Sequence, residues 1–274
     1  MYPSLIIQHI VREGGWIMTI MNTVKWLKEI SDLKEVYSLL KPYFHGLNER
    51  EIKKQLQAYG MYKHGDNLKK WINHTEKNNI LSFLKQEEKM LKDKWNGPNI
   101  PIFIFPCDEH NRKIASEYNG RAGVAFNNKL FLFLSSDISK KDIKPLLIHE
   151  YHHVCRLDAI DKNEKDFTLL DTIILEGMAE NAVREELGEE ATSSWSKRYN
   201  EAQCSTFYKN IIKPNQNVSR ENPKYTQLLY GTGFYPNMVG YSVGFYLVKK
   251  YMDGTGKSIK EIFSLPASVL VEEK

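Results

Sequence analysis

The chain has 274 residues, of which 42% are apolar and 26% charged, and its net charge is +4. That is enough apolar material for one core or two small lobes, and the slight charge with no base-reading motif argues against a nucleic-acid partner. No stretch approaches the ~20 apolar residues of a spanning helix, and three widely spaced cysteines without a CxxC indicate neither a disulfide framework nor a thiolate zinc site, in keeping with a reducing compartment.

Residues 1–21 carry apolar Leu5, Ile6, Ile7, Ile10 and Val11, but Arg12, Glu13, Gly14 and Gly15 interrupt them before an apolar core can form. Arg-Glu-Gly-Gly just ahead of Met18 reads as a translated ribosome-binding site. The native protein is then expected to begin at Met18 or Met21, with residues 1–21 as an extension.

From Asn22 to residue 97 the pattern predicts a helical lobe. Trp26, Leu27, Ile30, Leu33, Val36, Leu39 and Leu40 recur at intervals of mostly three and four, and Ile80, Leu81, Phe83, Leu84, Met90 and Leu91 do so less regularly. Pro42 and Gly60 punctuate the lobe. Its lysines alternate with Glu and Asp at helical spacing, as on a solvated face, and His45, His64 and His74 stand alone.

Gly97-Pro98 marks a change of period. Ile100 to Phe105 reads as a strand, and Ala122–Phe126 with Lys129–Leu134 reads as a hairpin turning at Asn127-Asn128, residues that tolerate positive φ. The expectation is a small antiparallel sheet whose edge receives an extended peptide. Gly120 and Gly123 could serve that approach or be turn residues.

His149, Glu150 and His153 then form HExxH inside Leu147-Ile-His-Glu-Tyr-His-His-Val154. Two histidines four apart share one face of a helix, so both rings can reach one metal ion, while Glu150 on the flank is placed to take a proton from water. Leu146, Leu147, Ile148, Val154 and Leu157 supply the apolar stripe that buries the other side. His152 is left out, because its spacing turns it away from His153, and Cys155 reads as a small core residue.

A hydrolytic centre of this type needs a third protein ligand and an open position. Positions 156 and 159 are Arg and Ala, which excludes the HExxHxxGxxH class. Leu169–Glu180 is a second helix-like run in which Glu176, after the apolar Ile173, Ile174 and Leu175, is the expected third ligand. Glu180, one turn on, could accept the remaining N–H of a ligand imidazole or belong to an acidic outer face with Glu185, Glu186, Glu189 and Glu190. Gly177 and Ala179 suit a close helix crossing.

Trp195–Ile212 reads as helical and Asn215–Pro223 as a polar loop. Tyr225, Tyr230, Tyr235, Tyr241 and Tyr246 then accompany Gly231, Gly233, Gly240 and Gly244 ahead of an apolar run, Val243–Val248. No histidine follows His153, so a side chain that stabilises the oxyanion should be a tyrosine. Tyr241 is the candidate, with Tyr235 behind it; for either, a packing role is the more ordinary reading.

The segments Trp95–Pro98, Phe103–Pro106, Leu130–Leu134, His149–Leu157, Leu169–Glu180 and Gly240–Gly244 resemble, in order, the YjaZ-type family of predicted Zn-dependent proteases. The resemblance runs from about Asn22 to the C-terminus. It implies a cytoplasmic bacterial metalloprotease of the Glu-zincin kind, with His149 and His153 as ligands, Glu150 as base and Glu176 as third ligand.

The resulting expectation is an α+β chain with a zincin-like catalytic domain over residues 98–274, one Zn²⁺, and a peptide or protein substrate without nucleic acid or membrane partners. Two other functions stay open: a non-catalytic, zinc-stabilised regulator, against which Glu150 argues, and a hydrolase of non-peptide amides or esters.

Overall fold

A computed structural model describes residues 19–112, 114 and 120–272. The expectation for a translation start at Met18 falls outside them. The described residues form two compact units, one comprising those up to Met90 with those of Asn99–Val124 and Asn128–Leu146, the other those of Leu91–Pro98, Ala125–Asn127 and from Leu147 onward.

In the first unit the described elements are the helices α1 (Thr23–Glu29), α2 (Glu35–Leu40), α3 (Glu49–Ala58), α4 (Leu68–Lys77) and most of α5 (Ile80–Trp95), followed by strand β1 (Ile102–Pro106), most of β2 (Arg121–Phe126) and β3 (Lys129–Leu134). The helix starts are chemically marked. Asn48 accepts from the Glu51 N–H while Glu51 accepts from the Asn48 N–H, a reciprocal cap that fixes where α3 begins. The amphipathic α3 then buries Ile52 and Leu56.

The sheet has the order β1-β3-β2, with β1 parallel to β3 in the register Ile102 to Leu130 and Phe105 to Phe133. The expected antiparallel sheet is therefore corrected to a mixed one, and β1 begins at Ile102 rather than Ile100. The physical reason lies in the strands themselves. β1 and β3 are buried at every position, and their continuous apolar runs, Ile-Phe-Ile-Phe and Leu-Phe-Leu-Phe-Leu, suit strands covered on both faces, as parallel neighbours commonly are. The two-residue turn at Asn127-Asn128 leaves only an antiparallel β2–β3 step, so β2 runs against the other two strands and β3 runs with β1.

Phe103 and Phe131 stack across that pair with centroids 4.8 Å apart, and Tyr43 and Phe44 close over them. The outer edge of β1 is occupied at its start, where Met21 N–H donates to the Ile102 carbonyl and Ile102 N–H to the Thr19 carbonyl.

In the second unit, α6 (Lys140–Ala159) contributes its length from Leu147, followed by α7 (Leu169–Leu187), α8 (Glu201–Phe207), α9 (Pro223–Tyr230) and α10 (Val239–Thr255). α7 starts at a Thr168/Asp171 capping box, with Lys162 on Asp171 at 2.7 Å, and stops at Gly188, whose φ is +87°. It is apolar nearly all round and accordingly central, with α10 as its main helical neighbour. The stretch Trp195–Ile212, expected to be helical, has Trp195 in a short 3₁₀ turn ahead of α8 and ends in a π turn over Tyr208–Ile212. Among the described residues no helix is long and apolar enough to cross a membrane.

Candidate metal centre

α6 carries His149, Glu150 and His153, and α7 carries Glu176 and Glu180. The ligand atoms of His149, His153 and Glu176 lie within 4.8 Å of one another. Nε2 of His149 is 3.3 Å, and Nε2 of His153 3.6 Å, from the same oxygen, Glu176 Oε2. Two donors held by one tetrahedral ion at ~2.0–2.2 Å stand about 3.4 Å apart. The donor set thus fits a single divalent metal in chemistry and in spacing. The three side chains keep between 11% and 18% exposure, so the cluster is reachable from solvent.

The other side of the His149 ring is fixed. Its Nδ1 is 3.0 Å from Glu180 Oε2, and Glu180, almost fully buried, also accepts the backbone N–H of Ser193 on its other oxygen. A carboxylate at Nδ1 favours a proton there, which leaves Nε2 as the ring nitrogen suited to a metal. Glu180 therefore belongs to the buried side of α7 and not to its acidic outer face. Nδ1 of His153 is buried without a hydrogen-bond partner.

The histidines and carboxylates of the cluster pair their charges. Burial opposes charge on His149, but the carboxylates of Glu176 and Glu180 outweigh it and hold its pKa well above the usual range. Burial by itself would raise Glu176; the imidazoles of His153 and His149 reverse that and bring it far below the ordinary carboxylate value. Glu150 goes the other way. Its carboxyl is buried and raised, chiefly by desolvation, with His153 and His149 pulling it down and Glu176 adding repulsion.

His152 and Cys155 sit at the back of the helix. His152 is fully buried between Trp95 and the Phe263 ring, 5.2 Å away, with neither ring nitrogen hydrogen-bonded. Burial, and then the charges of His153, His149 and Arg156, hold its pKa well below the usual value, so it is neutral. Cys155 is buried, and desolvation raises its thiol to about 12, the behaviour of an inert core residue. Arg156, which has no counterpart in the motif, is buried and donates to the Phe263 and Ile262 carbonyls, tying the C-terminal segment to α6.

Tyr241 has Trp195 at 5.2 Å and Tyr230 at 5.6 Å as ring neighbours. Tyr235 is half-buried in the turn that precedes Met238, a non-glycine residue at φ +58°. Two participants carry no sequence signal of the usual kind. Ser193 contributes only a backbone N–H, and Asn181, buried on α7 one residue beyond Glu180, is a lone amide that belongs to no motif.

Residues 80–272 match the family described as Predicted Zn-dependent protease (DUF2268). The chain is 40% identical to the uncharacterized Bacillus subtilis protein YjaZ over 93% of its own length and 99% of that protein. It is 23% identical to a second uncharacterized protein of that organism, YjfC, over 65% of this chain and 62% of the other. Both the extent of the family match and the near full-length likeness to YjaZ lead to one conclusion: the chain belongs to the family of predicted Zn-dependent proteases (DUF2268).

Proposed function

We propose that the protein is a zinc-dependent peptide hydrolase of the Glu-zincin type, with a zincin-like catalytic domain. The observation that carries this reading is the convergence of His149 Nε2 and His153 Nε2 on one oxygen of Glu176, with Glu150 beside them. His149, His153 and Glu176 would hold one Zn²⁺. Bound there, the ion supplies Lewis acidity toward a scissile carbonyl and toward water.

The remaining chemistry belongs to the side chains. Glu150 accepts a proton from the attacking water on its carboxylate and returns it to the leaving nitrogen, so no covalent acyl intermediate forms on the protein. Its raised pKa suits that task, because a desolvated carboxylate is a stronger base than a solvated one. Glu180 keeps His149 in the Nδ1-protonated tautomer and holds its ring still. Tyr241 is the proposed hydrogen-bond donor to the developing oxyanion, with Tyr235 as its alternative.

A purely structural metal site has no use for a desolvated base next to its ligands, which favours hydrolysis over the regulator reading. The substitution Glu150→Gln tests this directly. It should leave zinc content unchanged and abolish cleavage of a mixed peptide library; equal cleavage by both forms would refute the mechanism, and cleavage of small amides with none of peptides would redirect the substrate class.

A further inference from the structure

Gly177 follows Glu176 directly, and α10 packs closely against it. A Cβ on Gly177 would overlap the Gly244 carbonyl, and a Cβ on Gly244 would overlap the Ile173 carbonyl. The two helices thus cross backbone against backbone. Asn181, fully buried at that crossing, donates from Nδ2 to the Gly177 carbonyl at 2.8 Å and to the Phe245 carbonyl of α10 at 3.0 Å. Its Oδ1 accepts from Arg184 Nε at 2.9 Å, and Arg184 in turn reaches Asp253 on α10 at 3.2 Å. Every polar atom of the Asn181 side chain has a partner, and the strap joins the helices inside an otherwise apolar contact.

We propose that Asn181 is a positioning residue for the metal centre: it locks the rotation of α7 against α10 so that Glu176 and Glu180 face the α6 histidines. This rests on the metal-centre reading given above. On α7, Ile173, Gly177, Asn181 and Arg184 form one face, and Glu176 and Glu180 form its neighbour, one residue or ~100° round the helix. Whatever fixes the first face aims the second. For a carboxylate ~6 Å from the helix axis, a rotation of ~20° moves its oxygens by ~2 Å, as large as a ligand bond of ~2.0–2.2 Å. Apolar packing alone tolerates such adjustment, because it is not directional; two hydrogen bonds to fixed carbonyls, one on each helix, do not.

The test compares the wild-type chain with Asn181→Ala, Asn181→Ser and Val248→Ala. Val248 is buried on α10 with no polar role, so its truncation loosens the same helix without touching the strap. At a temperature where all four are folded by circular dichroism, Zn²⁺ affinity is measured by competition with a chelating dye, and the Co²⁺ form is examined by its d–d absorption. Asn181→Ala should lower Zn²⁺ affinity at least ~tenfold and alter the Co²⁺ bands. Asn181→Ser, which keeps one donor, should recover part of both, and Val248→Ala should match the wild type; if Asn181→Ala does not fold, the serine variant carries the comparison and should stand below Val248→Ala. Equal affinity and equal spectra in the Asn181 and Val248 variants would overturn the positioning role alone. A wild-type chain that binds neither ion would overturn the metal centre itself, and this inference with it.

Discussion

Glu180 lies 3.0 Å from Nδ1 of His149, on the side of the ring opposite Glu176. The imidazole is thereby held between two carboxylates from the same face of one helix, four residues apart. Replacing Glu180 with Gln keeps the size of the side chain but removes the charge that favours the Nδ1 proton. Zinc affinity should fall by about 10- to 100-fold, the usual effect of removing a partner behind a ligand histidine. Competition with a chelating dye measures this, and an unchanged affinity would show that the contact does not tune the ligand.

The metal-free protein should show a characteristic pH dependence. His149 has its pKa raised, so the stability it contributes is fully present below the unfolded value near 6.5 and is lost as pH climbs through the folded value. Glu176 has its pKa depressed, so its contribution is present above the unfolded value near 4.5 and is lost as pH falls toward the folded value. Both describe one charge cluster, at its strongest between about pH 4.5 and 6.5. Thermal scans without metal should show the wild type losing its advantage over His149→Gln as pH rises beyond that window. Zinc displaces the proton from His149, so its affinity should increase with pH over the same range. Parallel pH curves for the two proteins would contradict the pairing.

The glycine pair at the α7–α10 crossing sets a separate expectation. Gly244→Ala places a methyl group into the Ile173 carbonyl, a backbone atom that cannot rotate away. The helices must separate, and overpacking of this kind costs about 1–3 kcal/mol or more. Gly254→Ala, in the same helix with open space around it, should be neutral or slightly stabilising through helix propensity. Urea denaturation distinguishes the two; similar midpoints would mean that the crossing is not tight.

Some of this architecture is readable in the sequence because it rests on local periodicity. The four-residue spacing of His149 and His153 and the apolar residues around Glu176 mark two helices, and Gly177 signals a close approach. What approaches it is not readable, because α10 is remote in the chain and Gly244 reads as one glycine among several. The sheet was legible as strands but not as a topology: the apolar runs of β1 and β3 carry the sign of parallel, doubly covered strands, yet the hairpin signal at Asn127-Asn128 speaks only for its own two strands. Ser193 acts through its main chain, which any residue but proline offers. Asn181 and Arg156 acquire their meaning only from carbonyls distant in sequence, those of Phe245, Ile262 and Phe263.

The measurement that bears most directly on the account is the zinc stoichiometry of the purified chain, by elemental analysis after exhaustive dialysis, set beside that of Glu176→Ala. The account predicts one zinc per wild-type chain and little or none in the folded variant. Equal zinc in the two proteins, or none in the wild type after zinc loading, would contradict it.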